Sequence, residues 1–136
     1  MAQALQTRRR LLGQLISYVR RKPHQECCGL LAGRDGVITR AFPAANVAAN
    51  PKRRYEIAPQ EIVRLMREMR ARKLGFLGIY HSHPSTDNVP SPLDIELAYY
   101  SEAIYFIINP RPYAQKAVRA FSIRDGRSTE IEIEIV

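Results

Sequence analysis

Cysteine is nearly missing from this chain of 136 residues, and its two copies, Cys27 and Cys28, stand side by side. Nothing else in the chain can pair with them, which excludes a disulfide framework. They read as reduced thiols of a cytoplasmic protein, one of them facing the core. A ligand or catalytic thiol is the sharper alternative, but no second cysteine lies at ligand spacing. No apolar run approaches the length of a membrane span, and no charged-then-apolar segment at the start resembles a signal peptide. Low-complexity tracts, internal repeats and linkers are absent, so residues 1–136 are expected to form one domain, long enough to bury a core without staples. Neither glycine pattern that cradles phosphate occurs, nor a His-Glu-x-x-His helix, nor a nucleophile elbow around Ser82 or Ser85.

Acidic residues are in the minority. Lys and Arg outnumber Asp and Glu by 21 to 13, a formal charge of +8. The excess clusters at Arg8-Arg9-Arg10, Arg20-Arg21-Lys22, Lys52-Arg53-Arg54 and along 64–73. Basic surfaces neutralise phosphates, and they steer acidic proteins equally well. No helix-turn-helix, RNA-stacking aromatic motif or zinc finger accompanies the charge, so a solvated helix face is the favoured reading over a nucleic-acid partner.

The chemistry is concentrated in His81-Ser82-His83-Pro84 and Ser91-Pro92-Leu93-Asp94. The run Gly75–Tyr80 before the histidines is short, apolar and aromatic, as in a buried strand. Side chains on a strand alternate, so His81 and His83 share a face while Ser82 points away. Two imidazoles plus one carboxylate form the three-ligand set of a catalytic zinc site, which keeps a fourth position for water. Asp94 is the best candidate for the carboxylate: Ser91 can cap a helix, Pro92 suits its first position, and Asp94 then falls in the first turn. Read alone, Ser-x-x-Asp is more often a plain capping box. His24 is a lesser alternative as third ligand. His24-Gln25-Glu26 also spells the His-x-Glu of zinc deaminases, but the Pro-Cys-x-x-Cys that site requires is lacking. Glu26, just before another apolar strand-like run, is a carboxylate that could act as base for an attacking water.

Taken together, Glu26, His81-x-His83-Pro84 and Ser91-x-x-Asp94 resemble the JAMM (MPN-plus) metalloprotease pattern, including the seven residues between His83 and Ser91. Glu26–Gly33, Arg54–Pro59 and Gly78–Pro84 resemble the same family, in its compact stand-alone bacterial form. The resemblance implies one zinc ion per chain held by His81, His83 and Asp94. It implies Glu26 as general acid/base and Ser91 as donor to the developing oxyanion. It further implies a peptidase or isopeptidase acting at the C-terminus of ubiquitin-like or sulfur-carrier proteins. The alternatives are a peptidase of other small peptides, or a non-catalytic scaffold of the same fold.

The expected architecture is α/β, a mixed central sheet flanked by helices. Leu11, Leu12, Leu15, Ile16 and Val19 give 7–21 a helical stripe. Residues 27–33 and 37–42 read as strands joined by a turn at Arg34-Asp35-Gly36. A second helix is predicted over 59–73 with Ile62, Val63, Met66 and Met69 inward. The histidine strand follows, then a helix from Ser91 that can continue to Tyr100. A strand at 103–108 comes next, then a hairpin of 116–123 and 129–136 about Asp125-Gly126.

Overall fold

A computed structural model of the chain describes residues 5–112 and 114–136. It orders the elements as β1 (Leu5–Thr7), α1 (Arg9–Arg20), β2 (Cys28–Arg34), β3 (Val37–Ala44), α2 (Pro59–Ala71) and β4 (Gly75–Ser82), followed by α3 (Pro92–Glu96), β5 (Ile104–Ile108), β6 (Val118–Arg124), β7 (Arg127–Ile131) and β8 (Ile133–Ile135). The strands form one 8-stranded mixed sheet in the order β7-β6-β5-β4-β2-β3-β1-β8. β4 and β5 run parallel, while β2 is antiparallel to both its neighbours, β3 and β4.

Alternation along the central strands divides the core in two. Leu30, Ile79, Tyr105 and Ile107 face Leu65 and Met69 of α2. Leu31, Tyr80, Phe106 and Ile108 face Leu11, Leu15 and Val19 of α1. The sheet is therefore covered on both faces, which explains why β5 reads as an unbroken apolar run. Cys27 and Cys28 are both buried and free, one in each half of the core, so two thiols face a core where one was expected. Gly29 lets the sheet close up, because a Cβ there would sit 2.4 Å from the Phe42 carbonyl and 2.5 Å from the Tyr80 ring.

Several expectations shift in detail. On α2 the buried stripe is Leu65 and Met69 with Ile62 and Met66 beside them, whereas Val63 is half exposed. Positions 62, 65, 66 and 69 follow helical spacing more closely than a set containing 63. α3 stops at Glu96 rather than running to Tyr100. The Tyr100 amide turns away to the Tyr105 hydroxyl at 3.3 Å, and the chain bends toward β5. The last strand divides at Glu132. Ile131 pairs with Ala120 at one end of the sheet and Ile133 with Leu5 at the other. A single extended stretch thus carries both sheet ends, which curls the sheet around α1.

Candidate metal centre

The site lies where β4 leaves the sheet. Cys28 of β2 pairs with His81 of β4, and Ser82 N donates to the Cys27 carbonyl at 3.0 Å. Ser82 Oγ also accepts from Cys27 N at 2.8 Å, locking the two strand ends together. Continuing this antiparallel register by two residues, past Cys27 and Ser82, sets Glu26 opposite His83. Strand alternation then puts Glu26, Cys28 and His81 on one face. The loop after His83 is tied back by Asn88, whose side chain donates to the Lys116 carbonyl at 2.9 Å.

α3 delivers the carboxylate. Ser91 Oγ accepts from Asp94 N at 3.0 Å, and Asp94 Oδ2 accepts from Ser91 N at 2.9 Å, a complete capping box. The same Oδ2 lies 3.0 Å from His83 Nε2 and 3.2 Å from His81 Nε2, and the two imidazole nitrogens are 3.1 Å apart. Capping and convergence on the histidines are thus both realised by one side chain. Glu26 joins the group: its carboxylate and the two imidazoles each offer an atom within 4.8 Å of one another. His24 is exposed and lies outside this cluster.

The donor set fits a zinc ion. Zinc held tetrahedrally at about 2.0–2.1 Å spaces its ligand atoms roughly 3.3 Å apart. The separations of 3.0, 3.1 and 3.2 Å among His81, His83 and Asp94 are close to that edge. His83 Nδ1 lies 2.7 Å from the Asp87 carbonyl, which can only accept. Nδ1 therefore carries a proton; Nε2 donates to Asp94 in the zinc-free protein and would turn its lone pair to a metal, the usual arrangement for a ligating imidazole. His81 Nδ1 has no hydrogen-bond partner among the described residues. Its ring is instead held flat by Tyr55, stacked at 4.4 Å and 22°.

Electrostatics follow from burial. Desolvation alone would raise the Asp94 carboxyl, but hydrogen bonds from His81 and His83 hold it far below the usual range. Burial lowers His81, against the pull of Asp94. Burial also works against charge on His83, yet its bonds to Asp94 and Asp87 leave it raised. Glu26 is 5% exposed, and burial pushes it up to about 7, with His83 opposing the rise and Asp94 adding to it. Its Oε1 has no partner among the described residues. A buried carboxyl poised near neutrality beside a metal-type cluster, with one oxygen free of partners among the described residues, is equipped to take and return a proton. Beside Asp94 opens a groove of about 580 Å³, mainly apolar, with Tyr55, Ile57, Ile62, Leu93 and Leu97 in its walls.

Sequence reasoning gave no role to Tyr55 or Asn46. Tyr55 lies within the Arg54–Pro59 stretch that carries part of the resemblance, and that position was its only signal. Asn46, in a loop of ordinary composition, gave none.

The family model described as prokaryotic homologs of the JAB domain matches residues 8–124, and the chain belongs to that family. Fold and family together define a compact JAMM/MPN domain. The chain is 40% identical over 90 residues to a desampylase of Haloferax volcanii, a match that spans 65% of this chain and 65% of that protein. It is 31% identical over 128 residues to the CysO-cysteine peptidase of Mycobacterium tuberculosis, spanning 93% of this chain and 87% of that protein. A solution structure of a protein from Desulfitobacterium hafniense superposes with a TM-score of 0.84 at 30% identity, covering 96% of this chain and 92% of the other.

Proposed function

We propose that this chain is a zinc-dependent peptidase that hydrolyses a peptide or isopeptide bond at the C-terminus of a ubiquitin-like or sulfur-carrier protein. The observation that carries the reading is the convergence of His81, His83 and Asp94 to 3.0–3.2 Å with the unpartnered Glu26 beside them. A relative named for cleaving a CysO-cysteine substrate supports the substrate class. In this reading His81, His83 and Asp94 hold one zinc ion. When bound, the metal supplies an acidified water and a Lewis acid for the scissile carbonyl.

The remaining steps belong to side chains. Glu26, with a pKa near operating pH, accepts the proton of the attacking water and later delivers it to the departing amine. Ser91 accepts from the Asp94 amide through Oγ, so its own hydroxyl proton stays available to the developing oxyanion. The groove beside Asp94 receives the extended tail of the substrate, and its apolar walls exclude water around the reacting carbonyl. The basic surface is read as a solvated face that could also steer an acidic protein substrate, with nucleic acid the weaker partner. Two buried free thiols suit a reducing compartment, and a cytoplasmic location goes with this reading. No helix among the described residues is long and apolar enough to cross a membrane. A non-catalytic scaffold of this fold would give the buried, unpartnered Glu26 nothing to do.

The test is intact-mass spectrometry of a sulfur-carrier protein bearing a short extension after Gly-Gly, incubated with zinc-loaded enzyme and with the Glu26→Gln variant. Loss of the extension with wild type only is expected. An intact extension, with zinc bound at one per chain, would sink this substrate class.

A further inference from the structure

Asn46 spends its whole amide on the walls of the site. Nδ2 donates to the Glu26 carbonyl at 2.9 Å and to the Arg54 carbonyl at 3.0 Å. Oδ1 accepts from Ala48 N and Glu56 N, both at 3.0 Å. The amide cannot be turned over, because two carbonyls need a donor and two N–H groups need an acceptor. The partners are telling. Arg54 and Glu56 flank Tyr55, whose ring stacks on His81. Glu26 lies beyond the start of β2 at Cys28, outside the strand ladder, so its backbone depends on loop partners. Its N–H goes to the Pro51 carbonyl at 2.7 Å, and its own carbonyl goes to Asn46.

We propose that Asn46 is a positioning residue that ties Glu26 and the Tyr55–His81 stack to one rigid point. The proposal rests on the reading of Glu26 as general acid/base. Asn46 is itself no member of the metal-type cluster or of the groove's lining; beyond Ala48 of its own loop, its side chain bonds only to the backbone of Glu26 and of the strip 54–56, and its effect passes through them. Removing the amide frees two carbonyls and two N–H groups at once, and the carboxylate of Glu26 loses its fixed origin. A displacement of about 1 Å at a catalytic group is enough to cost on the order of 10²-fold in rate. Asp94 and His83 keep their own supports in the capping box and in the Asp87 carbonyl, and His81 keeps its place in the β4 ladder between Cys28 and Ile107.

The experiment compares Asn46→Ala and Asn46→Asp with wild type and with Ile38→Val, a core cut on the α1 side of the sheet. Asn46→Asp preserves shape and the acceptor oxygen but turns a second acceptor toward two carbonyls. At a temperature where all four proteins are folded, both Asn46 variants should lose kcat by on the order of 10²-fold, with KM and zinc content unchanged. Ile38→Val should keep its kcat. A kcat equal to wild type, or a loss shared by Ile38→Val, would overturn the proposal. Amide hydrogen exchange of the zinc-free proteins gives a readout that needs no substrate. The Glu26 and Glu56 amides should exchange faster in Asn46→Ala while those of β5 stay protected, and unchanged exchange at both would overturn the coupling. Failure of wild type to cleave any carrier would sink the proposed activity, while the exchange data would still decide whether Asn46 holds these two segments.

Discussion

Replacing Glu26 with Gln should stabilise the zinc-free protein above neutral pH and do almost nothing in acid. The carboxyl is 5% exposed and is pushed up from 4.5 to about 7, chiefly by burial. The folded state therefore holds this proton more tightly than the unfolded chain does. Stability from the neutral form is complete below about pH 4.5 and is lost as pH climbs through 7. A shift of some 2.5 units at 1.36 kcal/mol each amounts to about 3 kcal/mol forfeited by pH 8, and under about 1 kcal/mol at pH 5. Gln is neutral throughout and nearly isosteric, so the variant escapes the loss. An amide without a partner has a burial cost of its own, which trims the gain. The expected difference in Tm is about 5–10 °C at pH 8, shrinking to a degree or two at pH 5. The assay is thermal unfolding of chelator-treated protein, wild type beside variant, from pH 5 to 8. Added zinc should close most of the gap, since a cation next to Glu26 favours its ionised form. A Tm difference that is flat in pH, or that favours wild type at pH 8, would refute the claim that a desolvated carboxyl occupies this position.

Other outcomes follow from the same geometry. Asp94→Asn keeps an oxygen that can accept from Ser91 N, so the fold should survive within about 1 kcal/mol while zinc content drops sharply; full occupancy by atomic emission would show that the ligand set is wrong. Ser91→Ala removes the acceptor for Asp94 N and should cost about 1 kcal/mol of stability together with roughly 10²-fold in kcat. Ser91→Asn should restore the cap and the Tm but not the rate, and recovery of both would leave Ser91 a cap only. Zinc affinity, measured by competition with a chelator, should weaken as pH falls from 7 to 5. His83, raised above the usual imidazole range, is the first of the two rings to take a proton on acidification, and a protonated ring cannot ligate. Constant affinity across it would count against imidazole ligation.

Much of this was legible in the chain, for reasons that differ by residue. The helices α1 and α2 and the central strands carry long stripes or apolar runs, and the turn at Asp35-Gly36 is marked by residues that tolerate the positive φ of 53° and 75° found there. β1, with three residues, is too short to show any period. The alternating glutamates and isoleucines near the end suggested one strand, because alternation reports which face is buried and not which neighbour is paired. Ile135 is half exposed despite its place in that pattern, since β8 lies at the end of the sheet. The site shows the same division. His-x-His and Ser-x-x-Asp are local motifs, and strand alternation and helix capping are enough to aim them.

Glu26 is a different case, because its place depends on a pairing between segments more than fifty residues apart. Once Cys28 is paired with His81, the face is set: the register carried past the ladder puts Glu26 on the His83 side and alternation turns it to the metal, while Pro51 and Asn46 fix its backbone. A slip of one residue in that pairing would turn Glu26 to the α1 face and put Cys27 in its place. The lock between Cys27 and Ser82 is what forbids the slip, since Ser82 supplies both an N–H and an acceptor to the same residue. Ser82, which points away from the metal, thus specifies the site as firmly as the histidines beside it. Ser82→Ala should accordingly leave zinc content intact while weakening the register that brings Glu26 to the cluster. The expected signature is a fall in kcat with faster exchange of the Cys27 amide, and wild-type values for both would separate the register from the chemistry.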